Sequence, residues 1–265
     1  SIDVHVVDAA AVPQLPAPKR PEQPFVSELI TSWGEKVTTE NAWQEYPRPQ
    51  FVRDNWTCLN GNWNYAITPI EADAAKAWDG EILVPFAVES KLSGVQRLLH
   101  ADQALWYSRK LTVTPSAGHR TLLHFEACDY RMTAWVNGME VGSHVGGNLP
   151  FAFDITDALT KAADGTSELM VRVEDATGDY QLRGKQNVRP HGIFYTQVSG
   201  IYGTVWTEQV PQTYLRDIAV ETRCDGTVTF TLDVVGPHQE MEIVASLDGT
   251  IVASAEAASA LEPIE

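Results

Sequence analysis

From Asn60 onward, apolar and polar positions alternate in short runs along the chain. The runs are rich in aromatic and β-branched residues, and most of them are bounded by Gly, Pro, Asn or Asp, which is typical of β-strands. Before residue 175 the runs occupy positions 62–67, 81–84, 106–113, 121–125, 132–136, 151–155 and 169–173. Because strands recur at such short intervals, the pattern predicts an all-β, antiparallel sandwich.

The large side chains of these runs give an expectation about the core. Burying apolar surface stabilises a fold by roughly 25 cal/mol per Å². We therefore expect Trp63, Trp106, Trp135 and Val171 to face one common core.

Turn and helix signals separate the runs. Asn137-Gly138 lies between two short apolar runs and predicts a type I′ hairpin turn, in which both central residues take positive φ. Only positions 154–163 show a brief helical pattern, with Asp154 and Thr156 as candidate caps and Asp164-Gly165 as the stop. One or two helical turns are expected there.

A second set of alternating runs follows Pro211. It occupies 215–221, 227–234, 240–247 and 250–254, with Asp248-Gly249 as a further hairpin turn. An immunoglobulin-like sandwich needs about seven strands, so this set predicts an incomplete domain of that type. The predicted organisation is an extended amino-terminal segment (1–45), a first sandwich (46–211) and an incomplete immunoglobulin-like sandwich (212–265).

The amino-terminal segment has no sustained period and carries several prolines, which is typical of an extended tail. Its two tryptophans, Trp33 and Trp43, predict that the tail docks on the surface.

The stretch 183–206 differs from its surroundings. It holds four aromatic residues, four glycines, three Arg or Lys residues and no carboxylate, although the chain has a net charge of −16. Glycines permit positive φ, and aromatic rings can pack inward or stack on a ligand. The stretch therefore predicts a shaped loop, either as a packed structural corner or as a ligand-binding loop.

The net negative charge of the chain limits the classes of molecule that it can bind. Thirty-five Asp and Glu residues against nineteen Lys and Arg residues repel phosphate backbones and anionic lipids, so we expect no nucleic-acid or membrane partner and favour a neutral substrate. No apolar run approaches the roughly 20 residues of a membrane helix. The first residue is Ser1, which is consistent with removal of an export signal and a periplasmic or secreted location, with a cytoplasmic location left open.

The sequence predicts no cofactor. Cys58, Cys128 and Cys224 are scattered, so we expect three buried, unpaired thiols and no zinc site. Asp175-Ala-Thr-Gly-Asp179 resembles part of a calcium loop but lacks the twelve-residue pattern, which leaves a structural calcium or sodium ion as an alternative.

Several segments resemble, in order, the amino-terminal sugar-binding domain of glycoside hydrolase family 2, which includes β-galactosidases and β-glucuronidases. They are Tyr46-Pro-Arg-Pro-Gln-Phe-Val-Arg53, Leu59-Asn-Gly-Asn-Trp63, Val84-Pro-Phe-Ala-Val-Glu-Ser-Lys-Leu-Ser-Gly94, Leu105-Trp-Tyr107, Trp135-Val-Asn-Gly138, Pro150-Phe-Ala-Phe-Asp-Ile-Thr156 and Gly192-Ile-Phe-Tyr-Thr-Gln-Val-Ser-Gly-Ile-Tyr-Gly-Thr-Val-Trp206. The resemblance implies a jelly-roll, galactose-binding-like sandwich followed by the start of the immunoglobulin-like domain.

The resemblance also implies a function. Family 2 exo-glycosidases hydrolyse O-glycosidic bonds with retention, using two glutamates on a (β/α)8 barrel. This chain shows no alternating β/α pattern of such a barrel, so we expect it to be inactive alone and to complete the sugar pocket of its own catalytic barrel. The implied partners are the terminal sugar of a glycoside and that barrel, with a homo-oligomer left open. The alternative is a free-standing carbohydrate-binding module without hydrolytic activity.

Residue by residue, the resemblance implies a set of sugar contacts. Asp175 matches the family's sugar-contacting aspartate, although an Asp at the end of a strand can instead cap a turn. Glu89 lies in a second loop that the family turns toward the barrel, with a structural turn as the alternative. The candidate substrate-binding residues are Asp175, Arg183, Lys185, Gln186, Glu89 and Tyr195.

Overall fold

A computed structural model describes residues 29–160, 166–237 and 240–257. In chain order the strands are β1 (Trp56–Cys58), β2 (Gly61–Pro69), β3 (Gly80–Val84), β4 (Gln103–Leu111), β5 (His119–Phe125), β6 (Cys128–Asp129), β7 (Arg131–Val136), β8 (Met139–Val145), β9 (Phe151–Asp154), β10 (Ser167–Glu174), β11 (Gln186–Asn187), β12 (Tyr195–Thr196), β13 (Gly200–Ile201), β14 (Val205–Pro211), β15 (Tyr214–Thr222), β16 (Val228–Val235), β17 (Met241–Leu247) and β18 (Thr250–Ala257). The helix α1 spans Thr156–Leu159, and 3-10 turns span Gly34–Lys36 and Lys91–Ser93.

Two antiparallel sheets form the sandwich. Sheet I has the strand order β1-β14-β5-β9, and sheet II has the order β3-β2-β4-β10-β7-β8. Their facing side chains make one core in which Trp63, Tyr107, Phe125 and Leu169 are almost fully buried. The all-β prediction is confirmed.

The expectation of one common core for the tryptophans is wrong for two of them. Trp63 and Val171 lie in the core between the sheets, whereas Trp106 and Trp135 stack on each other, 5.9 Å between ring centroids, in a separate cluster with Met170. Pairing explains the difference, because Val171 lies opposite Tyr107 and Met170 lies opposite Trp135. Successive residues of a strand point to opposite faces, so these two tryptophans lie on the outer face of sheet II.

The predicted turns are confirmed. Asn137 and Gly138 take φ of 51° and 75° between β7 and β8, and Asp248 and Gly249 take φ of 49° and 79° between β17 and β18. The brief helix is also present as the four residues of α1. Its predicted stop at 164–165 lies outside the described residues.

The segment 43–53 lies on the outer face of sheet I. The ring of Tyr46 contacts that of Trp206 at 5.3 Å between centroids, and Nε of Arg53 donates to Oε2 of Glu208 at 3.2 Å. Trp43 docks only in part, because its ring lies 5.6 Å from that of Phe86 but the residue is 52% exposed. The docking prediction is wrong for Trp33, which is 79% exposed.

Beyond sheet I, the chain forms two hairpins, β15 with β16 and β17 with β18. An apolar groove of about 490 Å³ is lined by both hairpins. The guanidinium group of Arg53 reaches this region, since its NH2 donates to the carbonyl oxygen of Leu215 at 2.7 Å.

The prediction of three buried cysteines is wrong for two of them. Cys128 is buried as predicted, but Cys58 is only partly buried and Cys224 is exposed, and all three are free thiols. In the part of the chain that the structure describes, no helix has the length and apolar character that crossing a membrane requires.

Candidate functional site

The candidate site lies where three segments meet at one edge of the sandwich. Asp175 follows the last residue of β10, Glu89 lies in the loop after β3, and Ser199 immediately precedes β13. The side chains of these segments form a buried polar cluster, and exposure of its members ranges from 0% to 8%. The polar cluster consists of Glu89, Asp175, Thr177, Gln181, Gln197 and Ser199.

Asp175 receives hydrogen bonds on both carboxylate oxygens. Its Oδ1 accepts from the backbone N–H of Thr177 at 2.8 Å and from Nε2 of Gln181 at 2.9 Å. Its Oδ2 accepts from Oγ of Ser199 at 2.7 Å, and Oγ1 of Thr177 lies farther away at 3.4 Å. The contact with Thr177 N–H is the turn-capping interaction of the structural alternative.

Glu89 is held from the other side of Ser199. Its Oε2 accepts from the backbone N–H of Ser199 at 3.0 Å, and its Oε1 accepts from Nε2 of Gln197 at 3.1 Å. Burial of the carboxyl raises the pKa of Glu89 to about 8, and the negative charge of Asp175 adds to the increase. The hydrogen bonds from Ser199 oppose it, but burial dominates because a desolvated carboxylate is costly.

A third acid lies beside the polar cluster. Asp129 is opposite Gly200 in the short ladder of β6 and β13, and it is only 5% exposed. Burial raises the pKa of Asp129 to about 7, with a further contribution from the charge of Asp175. Its side chain leaves no room beside Gly147, where an added Cβ would lie 2.5 Å from Cγ of Asp129.

The loop formed by residues 176–196 connects Asp175 to Gln197. Arg183 forms an ion pair with Asp179 and donates from NH1 to the carbonyl oxygen of Gln186 at 3.0 Å. The carbonyl oxygen of Lys185 accepts from the backbone N–H of Tyr195 at 2.9 Å. The loop is therefore shaped by its own hydrogen bonds, as the glycine-rich stretch predicts.

Apolar side chains of this loop are nevertheless open to solvent. Tyr180 is 77% exposed, Leu182 74%, Ile193 67% and Tyr195 68%. A contiguous patch of exposed apolar side chains marks an interaction surface, whereas single exposed apolar residues are normal.

The structure thus divides the six predicted site residues into two groups. Glu89 and Asp175 lie in the polar cluster, whereas Arg183, Lys185, Gln186 and Tyr195 belong to the 176–196 loop. Asp175 is only 4% exposed, because the chain returns over it at Ser199. The contact of these residues with a sugar stays a prediction.

Sequence reasoning missed Ser199, Gln197 and Asp129 as members of the site. A signal for two of them exists, because positions 197 and 199 are polar residues that alternate with Val198 just before a strand. Both side chains therefore point inward, where a polar group requires a buried partner. Nothing in the local sequence identifies that partner.

A structural cation at 175–179, the alternative, would find few oxygen atoms that are not already paired. Asp175 already accepts hydrogen bonds from protein donors, and Asp179 is paired with Arg183. Within the described ranges, no group of three or more His, Cys, Asp or Glu side chains is arranged to hold a metal ion. A calcium or sodium ion stays an untested alternative.

Part of this chain is similar to a known protein family. Residues 95–211 match the profile of the sugar binding domain of glycosyl hydrolases family 2. Rat (Rattus norvegicus) beta-glucuronidase is 28% identical over 172 residues, which are 56% of this chain and 26% of that protein. A beta-galactosidase of Thermoanaerobacter pseudethanolicus is 30% identical over 116 residues, covering 43% of this chain and 14% of that protein.

Solved structures share the fold. Faecalibacterium prausnitzii beta-glucuronidase superposes with a TM-score of 0.59 at 24% identity, covering 83% of this chain and 42% of that chain. Bifidobacterium dentium beta-glucuronidase, solved with coumarin-3-O-glucuronide, gives a TM-score of 0.61 at 22% identity over 78% of this chain and 41% of that chain. The sequence match and the relatives agree that residues 95–211 resemble the sugar-binding domain of glycosyl hydrolases family 2, and the chain spans about a quarter of the length of the rat beta-glucuronidase that it matches.

Proposed function

We propose that this chain is the amino-terminal, non-catalytic portion of a family 2 exo-glycosidase that acts with retention. In this proposal a (β/α)8 barrel outside the chain supplies the two catalytic glutamates, and the sandwich completes the pocket for the terminal sugar. The match over residues 95–211 and the beta-glucuronidases and beta-galactosidase among the relatives support it.

The observation that carries the proposal is the pairing of an exposed apolar loop with a buried acid at its base. The 176–196 loop exposes Tyr195 and Ile193, which suits packing against another domain or a ligand. Asp175 lies at the root of that loop. Family resemblance assigns the sugar contact to this residue.

The hydrogen bonds of Asp175 are compatible with such a contact. An ionised carboxylate offers about four acceptor positions. Two close donors occupy Oδ1, but only the Ser199 hydroxyl approaches Oδ2 closely. Oγ1 of Thr177, at 3.4 Å from Oδ2, is the most distant of the four donors, and a sugar hydroxyl that takes its place gains a hydrogen bond to a charged acceptor.

In the full-length enzyme, Asp175→Asn is expected to lower kcat/KM on the terminal sugar by roughly ten- to a hundredfold, the value of a hydrogen bond to a charged group. Steady-state kinetics with nitrophenyl β-glucuronide and β-galactoside would measure it. Asp73→Asn is the matched control, because Asp73 is an exposed aspartate between β2 and β3, away from the site. Unchanged kinetics with a sharply lowered melting temperature would identify Asp175 as a structural cap only.

The chain alone is expected to hydrolyse no glycoside, because the proposed catalytic carboxylates lie on the barrel. Incubation with nitrophenyl galactoside, glucuronide, mannoside and glucoside should give background rates. Turnover that survives repurification and is lost on replacing one acidic residue of this chain would contradict the proposal.

A free-standing carbohydrate-binding module is the second candidate, and the exposed rings of Tyr180 and Tyr195 favour it because aromatic faces stack on sugars. Titration calorimetry on the chain separates the two candidates. A binding module would bind a simple glycoside without any barrel, whereas the glycosidase portion would give no heat of binding.

A further inference from the structure

The polar cluster contains one hydroxyl whose orientation is determined by its neighbours. Oγ of Ser199 accepts from Nε2 of Gln197 at 3.1 Å and lies 2.7 Å from Oδ2 of Asp175. A hydroxyl has a single hydrogen, and a carboxylate has none to offer when ionised. The Ser199 hydrogen is therefore directed at Oδ2, the oxygen on which the proposed function places the sugar hydroxyl.

Ser199 is itself held in place by hydrogen bonds to Glu89 and Gln197. Its backbone N–H donates to Oε2 of Glu89 at 3.0 Å, and Oε1 of Glu89 accepts from the same Gln197 amide that reaches Oγ of Ser199. The Gln197 amide has two hydrogens for three acceptors: the carbonyl oxygen of Leu99 is nearest at 2.7 Å, and Oε1 of Glu89 and Oγ of Ser199, both at 3.1 Å, share the other hydrogen. Ser199, Gln197 and Glu89 are each at most 2% exposed, so water does not compete for these bonds.

The same hydrogen bond joins the two ends of the 176–196 loop. Asp175 precedes the loop, and Ser199 follows it, so the 2.7 Å contact ties its outgoing and returning chain together. A second tie is made by Oε1 of Gln186, which accepts from the backbone N–H of Val198 at 2.9 Å.

We propose that Ser199 is the positioning residue for Asp175, and that Glu89 holds Ser199 in place. The inference rests on the proposed function, in which Asp175 contacts the terminal sugar. In this arrangement Glu89 acts on the sugar pocket through Ser199 and does not touch the sugar. A geometry fixed within a fraction of an ångström is what a sugar-contacting acid requires.

The test is a double-mutant cycle in the full-length enzyme, with nitrophenyl β-glucuronide and β-galactoside as substrates. Ser199→Ala is expected to lower kcat/KM about tenfold. In the Asp175→Asn background the same change should cost little more, because the residue it positions is already altered. Ser167→Ala is the matched control: Ser167 is a 3% exposed serine at the other end of β10 whose hydroxyl accepts from Nδ2 of Asn137, and its loss should leave kcat/KM within about twofold.

The outcomes separate the inference from the function on which it rests. If Asp175→Asn has no kinetic effect, the proposed function fails. If Asp175→Asn is impaired but Ser199→Ala is not, or if the two effects are fully additive, the positioning role is overturned. Should Ser199→Ala not fold, the nearly isosteric Ser199→Cys, with its weaker donor, replaces it, and wild-type kinetics for that variant would also overturn the proposal.

A measurement on the chain itself supplies a second readout. Trypsin can cut the 176–196 loop after Arg183 and after Lys185, whereas Arg189 is followed by Pro190 and resists cleavage. Loss of the tie is expected to raise the rate of cleavage at these two bonds several-fold in Ser199→Ala, and Ser167→Ala should match the wild type. Equal cleavage rates in all three proteins would contradict a tie at the base of the loop.

Discussion

Gly200→Ala is expected to destabilise the sandwich by about 2–5 kcal/mol, combining left-handed backbone strain with overpacking. Gly200 takes φ of +83°, and an added Cβ would lie 2.1 Å from Oη of Tyr107 and 2.9 Å from Cδ2 of Leu105. Tyr107 cannot move aside easily, because it is fully buried and its Oη accepts from the backbone N–H of Ile201 at 3.1 Å. Urea unfolding of the chain would measure the loss.

Two matched variants separate the causes. Gly192→Ala also places alanine at positive φ, 57°, but with no atom within 4 Å of the new Cβ, so it should cost only about 1 kcal/mol. Tyr107→Phe removes the atom nearest the new Cβ, so Gly200→Ala should cost less in that background than in the wild type. Equal losses for the two glycines would mean that backbone strain alone explains the effect.

Local pattern predicts most of the fold because strands and tight turns are local structures. Alternation locates five of the six strands of sheet II and two of the four strands of sheet I, missing β1 and β14, and Asn137-Gly138 predicts a hairpin through its demand for positive φ. The pattern predicts less reliably which side chains of a strand face the core. Trp106 and Trp135 are as apolar as Trp63, but their position one residue out of phase with the core puts them on the outer face of sheet II.

Composition predicts a loop for the whole stretch 183–206, which is correct only for its first part. Its first part is the shaped loop that its glycines predict, but from Gly200 onward it forms β13 and the start of β14. The ring of Trp206 is fully buried and stacks on that of His124, 3.9 Å between centroids. Glycine at 200 and 203 therefore serves close packing within a sheet edge, which composition cannot distinguish from a loop.

The site is less predictable than the fold because its contacts are long-range. Family resemblance selects Asp175 and Glu89 from the sequence. What joins them is Ser199, which is hydrogen-bonded to both and lies 110 positions from Glu89 and 24 positions from Asp175. Likewise, Glu208 is held by Arg53 from 155 positions away. Only the sheet order brings these groups together, so their roles as partners emerge from the tertiary structure.

The burial of Glu89 leads to a pH dependence of stability that is opposite to that of an ordinary ion-paired acid. Its pKa is raised from 4.5 to about 8 in the folded chain, and the titratable groups that face it are Asp175 and the phenol of Tyr107. Between these two pH values the folded state binds a proton that the unfolded state has released. The free energy of unfolding therefore falls as pH rises, by up to about 1.4 kcal/mol per pH unit.

Glu89→Gln should remove this contribution of Glu89 to the pH dependence. The difference in free energy of unfolding between the wild type and the variant is therefore expected to change by a few kcal/mol between pH 5 and pH 8. Glutamine mimics the neutral carboxyl, but its NH2 group cannot accept a hydrogen bond and faces one of the two donors, Ser199 N–H or Gln197 Nε2. The variant therefore loses about 1–3 kcal/mol of folding stability at every pH. The variant should therefore be the less stable protein at pH 5 and gain on the wild type as pH rises. Urea titrations from pH 5 to pH 9 would test this, with the exposed Glu81→Gln as a control that should run parallel to the wild type. Parallel curves for Glu89→Gln as well would show that Glu89 is ionised in the folded chain and that its two donors, not burial, determine its charge.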